Sequence, residues 1–191
     1  MGDVMDEIKH RIRDWIRDCG GERMLVAIDG RCGAGKTTLA TELGRELDCP
    51  VVHMDDFFLR PEQRTRNRLG EPGGNVDYER VREEVLLPLV QERLATYRPF
   101  DCGKMDFSDP IQVDLGAVVI VEGSYSCHPA LWDFYGLRIF LDISPEDQME
   151  RILHRNGREA AAVFRDRWIP LEERYFAAYQ IRERCDLAIR L

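Results

Sequence analysis

Apolar and polar positions along this chain follow two rhythms. Val4, Ile8, Ile12, Trp15 and Ile16 recur at helical spacing with charges between them, which predicts an amphipathic helix over 4–18, ended by Cys19-Gly20-Gly21. A continuous apolar run predicts a buried strand over 23–29. Thr38-Leu39-Ala40-Thr41-Glu42-Leu43 belongs to a helix over about 36–47. Short apolar runs at 51–54, 117–121, 137–143 and 185–191 read as further strands. Helical spacing returns from Asp77-Tyr78 to Val90, where Pro88 predicts a kink or a break. Ser144-Pro145-Glu146 reads as an N-cap, a first-turn proline and a first-turn acid, and another helix covers about 160–181. Residues 59–75 read as a long polar, basic loop, and 97–102 as part of a short edge hairpin. Strands alternating with helices predict a three-layer α/β fold with a five-stranded parallel sheet.

Composition narrows the class. The chain has 191 residues, 44% hydrophobic and 32% charged, which suits a single domain over 1–191 with a substantial core. No apolar run approaches the ~18 residues of a membrane span. Met1-Gly2-Asp3-Val4-Met5-Asp6 lacks the layout of a signal peptide, and Asp6 breaks the myristoylation pattern. A net charge of −8 argues against wholesale nucleic-acid binding. Cys19, Cys32, Cys49, Cys102, Cys127 and Cys185 form no C-x-x-C pair, so they read as free thiols of a cytoplasmic protein. The expected partner is a small-molecule substrate rather than nucleic acid or membrane, with homo-oligomerisation open.

One stretch carries specific chemistry. Gly30, Gly35, Lys36 and Thr37 fill every fixed position of G-x-x-x-x-G-K-[ST], between the first strand and the second helix. Glycines let the backbone curl so that N–H groups converge on an anion at a helix N-terminus. Gly30, Gly33, Ala34, Gly35, Lys36, Thr37 and Thr38 are therefore candidate nucleotide-binding residues, with Lys36 on the phosphates and Thr37 on Mg²⁺. Cys32 lies inside this loop and reads as an incidental oxidation site.

Two acidic features fall at the carboxyl ends of strands, where open parallel sheets bind ligands, and a basic one falls on a later helix. Asp55-Asp56-Phe57-Phe58 follows the second strand. It suits proton transfer or Mg²⁺ ordering, and equally a helix cap or solvated turn. Glu122 ends the most strand-like run and is a candidate metal-linked acid beside Thr37 and Asp55. Arg151 and Arg155 share a helix face, with Arg158 one turn on if the helix passes Gly157. They suit a phosphate-clamping lid over about 150–168, or a solvated face. Tyr97 and Phe100 offer rings that could stack on a flat ligand or pack in the core.

Taken together, these motifs resemble the uridine kinase-like branch of the phosphate-loop kinases, which also holds phosphoribulokinase, pantothenate kinase and nicotinamide riboside kinase. The resemblance runs from about residue 24 to the end. It rests on 30–38, Asp55-Asp56-Phe57-Phe58, Asn75-Val76-Asp77, Ile120-Val121-Glu122-Gly123, Arg151 with Arg155-Asn156, Trp168-Ile169-Pro170 and Cys185-Asp186-Leu187-Ala188-Ile189. It implies ATP- and Mg²⁺-dependent transfer of a γ-phosphoryl group to a hydroxyl. Asp55 would be the general base, assisted by Lys36 and Glu122, and Asp55, Phe57, Asp77, Tyr97 and Phe100 would bind the acceptor. The implied acceptor is a nucleoside, uridine or cytidine first, with nicotinamide riboside, pantothenate or another sugar-like alcohol as alternatives. A non-catalytic nucleotide-binding module is a further reading. The branch's His and Arg after its aromatic-Asp-aromatic segment have no counterparts in Phe100-Asp101-Cys102-Gly103-Lys104.

Overall fold

The structure, a computed structural model, describes residues 2–18 and 23–190, with side chains from Met5 onward. The expected helix end at Cys19-Gly20-Gly21, the side chain of Val4 and the last strand position, Leu191, lie outside the described residues. An N-terminal helix, α1 (Gly2–Asp18), precedes strand β1 (Met24–Gly30) and helix α2 (Lys36–Leu47). Strands β2 (Val51–His53), β7 (Val118–Glu122), β8 (Leu137–Asp142) and β9 (Leu187–Arg190) complete a five-stranded sheet in the order β2-β7-β1-β8-β9, parallel throughout. Every residue of β1 and β7 is buried. Their alternation feeds two cores, one on each face. Leu25, Ala27, Val119 and Val121 face one layer, while Val26, Ile28, Val118 and Ile120 face α1 and α2. A strand buried on both sides has to read as a continuous apolar run, which is why these strands stand out in the sequence.

The small elements hold the surprises. Residues 59–75 contain a 3₁₀ turn (Pro61–Gln63) and a short helix (Arg66–Gly70) capped by the Thr65 hydroxyl, rather than open loop. Hairpin strands β3 (Ala95–Tyr97) and β6 (Ile111–Val113) enclose a second pair, β4 (Phe100–Asp101) and β5 (Asp106–Phe107). The helix over 78–90 runs through Pro88 without breaking. A π turn (Val81–Leu86) precedes the proline, and the Leu87 N–H bonds Arg82 O, five residues back. A wide turn moves the carbonyls that a proline ring would strike in a regular helix. The same device recurs at Phe164–Trp168, two residues before Pro170. It divides the expected 160–181 helix, which ends at Gln180 in a left-handed conformation (φ 51°). Among the described residues no helix is long and apolar enough to cross a membrane.

Candidate active site

The site begins with a buried acid near the end of a strand. Asp29 is fully buried at the end of β1. Its Oδ1 accepts from Gly30 N–H (2.7 Å) and Tyr125 N–H (3.2 Å), and its Oδ2 from Cys127 N–H (2.9 Å) and Tyr175 O–H (2.8 Å). One carboxylate thus ties the loop after β1, the loop after β7 and the helix Ile169–Tyr179 together. Burial pushes its pKa up, against the pull of those donors and Lys36.

The loop leaving Asp29 curls as the glycine spacing predicts. Gly30 has φ +131°, and a Cβ there would meet Leu141 O at 2.0 Å. Gly35, at φ +90°, begins α2, and no side chain caps that helix. Its first N–H groups therefore remain available to an anion, with the helix dipole behind them. Lys36 folds back so that Nζ donates to Gly30 O (2.7 Å) and Arg31 O (2.9 Å). That uses two of its three protons.

Sheet register delivers the acids. Glu122 pairs with Ile28 on one side and His53 on the other, which places it at the carboxyl ends of three strands. Its Oε1 accepts from Thr37 Oγ1 (3.1 Å) and lies 2.6 Å from His53 Nδ1. The bond to Glu122 raises the His53 pKa. Asp55, in the 3₁₀ turn after β2 (Met54–Phe57), stays open to solvent. Its pKa is raised, first by the protein packed around the carboxyl and then by the charge of Glu122.

These groups line one cavity of about 520 Å³. Gly33, Gly35, Lys36, Thr37 and Thr38 form one end, and Asp55 and Glu122 stand beside them. Arg151 and Arg155, on the helix Pro145–Val163, line its other side. Arg151 reaches Gly33 O at 3.4 Å. Among the described residues no three His, Cys, Asp or Glu side chains form a metal-binding group. The oxygen donors Thr37, Glu122 and Asp55 still fit Mg²⁺, which commonly takes one or two carboxylates and completes its shell with substrate phosphates and water.

No family model matches this chain. Among curated proteins it is similar to the bifunctional alpha-galactosidase/sucrose kinase AgaSK of Mediterraneibacter gnavus, 26% identical over 187 residues, 85% of this chain and 20% of that protein. The chain thus spans about a fifth of that relative's length. Among solved structures it is similar to a possible uridine kinase from Bacillus stearothermophilus, at TM-score 0.66, 21% identity and coverage of 96% of this chain and 99% of that one. A candidate fructose transport system kinase from Silicibacter sp. TM1040 gives TM-score 0.68 and 24% identity over 88% and 90% of the two chains. D-glycerate 3-kinase from Cryptococcus neoformans var. grubii gives 0.64 and 15% over 91% and 88%. The chain has the fold of a phosphate-loop kinase.

Within that fold the expected residues divide. Lys36, Thr37, Asp55, Glu122, Arg151 and Arg155 meet in the cavity. Gly30 and Ala34 are buried outside its lining, the Gly30 N–H bonded to Asp29 Oδ1 and the Ala34 N–H to Arg31 O. Arg158 is turned away, because Gly157 breaks the helix at φ 79°, ψ 173°. It lines a separate groove with Leu153 and Arg165. Four of the residues expected to bind the acceptor lie away from the cavity. Phe57 is fully buried and packs on Tyr97, with ring centroids 4.8 Å apart. Tyr97 is buried, its hydroxyl donating to Asp56 at 2.8 Å. Phe100 is buried edge-on to Phe107. Asp77 is buried as a helix cap, accepting from Arg80 N–H (3.3 Å) and Gln63 Nε2 (2.7 Å). Cys32 also differs from expectation. Burial and Glu172 push its thiol up to about 12, which starves it of reactive thiolate.

Phe58, Asn75, Ser124, Tyr125, Phe164, Trp168 and Glu172 complete the wall. Glu172 is nearly inaccessible, and accepts from Cys32 N–H (3.1 Å) and Ser124 O–H (2.5 Å). Tyr125 holds φ at +74°, rare for an aromatic residue and a pointer to local constraint at a working site.

Proposed function

We propose that this chain is an ATP-dependent, Mg²⁺-requiring kinase that phosphorylates a hydroxyl of a small sugar-like molecule. One observation carries the reading. A solvent-accessible carboxylate with a raised pKa, Asp55, shares one cavity with the phosphate loop, the strand-end acid Glu122 and two lid arginines. In this reading the α2 N-terminus and Lys36 hold anionic oxygens. Arg151 and Arg155 offset charge from the lid, and Asp55 accepts the acceptor's hydroxyl proton. Thr37 and Glu122 orient Mg²⁺, which when bound neutralises phosphate charge. Catalysis comes mainly from positioning and charge compensation.

The sugar-like acceptor is favoured over a pyrimidine nucleoside because Tyr97 and Phe100, the rings expected to hold a flat base, are buried. Relatives named as sucrose kinase, fructose transport system kinase and D-glycerate 3-kinase support the same class. The likeness to a possible uridine kinase keeps uridine and cytidine as the second reading. ADP release with ATP and Mg²⁺ separates them, using uridine, cytidine, nicotinamide riboside, pantothenate, fructose, sucrose, glycerate and no acceptor. Stimulation by a sugar or sugar acid supports the first reading. Stimulation by uridine or cytidine alone replaces it with the second. ATP binding without stimulation by any acceptor counts against both.

A further inference from the structure

The cavity over the phosphate loop does not end at its acceptor side. Phe58, Asn75 and Trp168 also line a second chamber of about 840 Å³. Its floor is apolar, with Leu59, Leu69 and Leu171 beside the two rings. Its charges are unbalanced. Arg64, Arg167 and Arg174 line it against a single acid, Asp166, which already pairs with Arg165 at 2.7 Å.

The three arginines are positioned by neutral groups. Arg64 Nε donates to Leu59 O (3.0 Å). Arg174 Nη2 donates to Leu69 O (3.1 Å) and Glu71 O (3.3 Å). Arg167 lies 4.7 Å from the centre of the Trp168 ring. None of the three has a carboxylate within ion-pair distance among the described residues. In a chain with eight more acids than bases, uncompensated guanidiniums grouped round one chamber mark a place for an anion. The first cavity is mixed in charge, with Asp55, Glu122 and Glu172 on its wall and Lys36, Arg151 and Arg155 at its phosphate-loop end. Beside Asp55 a hydroxyl finds an acceptor, whereas Lys36, Arg151 and Arg155 are engaged by the nucleotide's phosphates in the transfer reading.

We propose that the phosphoryl acceptor is a polyhydroxy compound bearing an anionic group, carboxylate or phosphate, with its hydroxyl end beside Asp55 and its anionic end among Arg64, Arg167 and Arg174. This rests on the transfer reading above and names its substrate class. Guanidinium forks suit either oxyanion. The chamber's volume accommodates the body of a sugar acid or sugar phosphate.

The test is equilibrium binding of glucose, gluconate and glucose 6-phosphate to the full chain saturated with a non-hydrolysable ATP analogue and Mg²⁺. The phosphate loop is then already filled. Wild type is compared with Arg64→Gln/Arg167→Gln, which leaves the loop-bracing Arg174 in place. Circular dichroism checks that the variant folds. At least one charged probe should bind about tenfold or more tightly than glucose, and the double variant should lose that advantage while glucose affinity stays within about twofold. Preference for gluconate identifies a carboxylate, and for glucose 6-phosphate a phosphate. Equal binding of all three, or a preference that survives the double variant, overturns the proposal. ADP release with ATP in the same mixtures tests transfer separately. Arginine-dependent binding without release keeps the anion subsite and counts against the kinase reading.

Discussion

Asp29→Asn is the sharpest test of how this site is held together. The native carboxylate accepts four hydrogen bonds, two on each oxygen, between 2.7 and 3.2 Å. An amide of the same shape keeps one oxygen for Gly30 and Tyr125. Its nitrogen then faces two donors. Tyr175 can rotate its hydroxyl to accept, but the Cys127 N–H cannot reverse. One buried N–H is orphaned, at about 1–3 kcal/mol, and the remaining bonds lose their charge assistance. Removing a buried charge, whose pKa is already raised, returns part of that cost. The balance is a loss of about 2–3 kcal/mol, or roughly 5–10 °C in Tm for a chain of this size. Urea unfolding with an unchanged m-value measures it. Tyr175→Phe, which deletes one donor, should cost about 1.5 kcal/mol in the wild type and clearly less on the Asp29→Asn background. A change under about 0.5 kcal/mol for Asp29→Asn, or strict additivity with Tyr175→Phe, would refute the reasoning.

Two further outcomes follow from the packing. His128 stacks on Tyr78 (centroids 3.9 Å apart), accepts from Ala130 N–H through Nδ1 (3.2 Å), and burial lowers its pKa to about 4. A depressed folded-state pKa means that the unfolded chain takes up the proton first. His128 should therefore contribute a loss of at most about 3 kcal/mol as pH drops from about 6.5 to about 4, read as the difference between wild type and His128→Phe when urea midpoints are followed against pH, because the raised pKa values of Asp29, His53 and Asp55 act in the opposite sense in both. Gly30→Ala should cost about 3 kcal/mol or more, because its Cβ would strike Leu141 O, whereas Gly35→Ala, with nothing within 4 Å of its Cβ, should cost only the left-handed strain of about 1–2 kcal/mol. Equal losses in the two variants would show that the close approach of Gly30 to β8 is not what fixes the loop.

The sheet and the phosphate-loop end of the site were legible because their physics is local. Strands buried on both faces must be apolar runs, and Lys36, Thr37 and Glu122 follow from where such runs end. Asp29 was legible in principle too, since an acid within a wholly apolar strand needs partners. The acceptor side was not. Tyr97 and Phe100 are aromatic whether they meet a ligand or the core, and only the nested hairpin turns them inward. Glu172 is one acid among several on its helix, and its burial against Cys32 N–H comes from a contact 140 positions away in sequence. Arg158 leaves the lid at Gly157, a residue whose freedom sequence alone does not resolve into a direction. The left-handed backbone of Tyr125 has no sequence signature.

The central claim is that Asp55 works on an acceptor beside a nucleotide held by the phosphate loop. Asp55→Asn tests it directly, with ATP affinity and phosphoryl transfer measured on the same preparation, using whichever acceptor stimulates the wild type. Loss of a positioned general base slows transfer by about 10²–10⁴. The account predicts a fall of that size with ATP affinity within a few-fold of wild type. Transfer at the wild-type rate, with ATP binding intact, would contradict it.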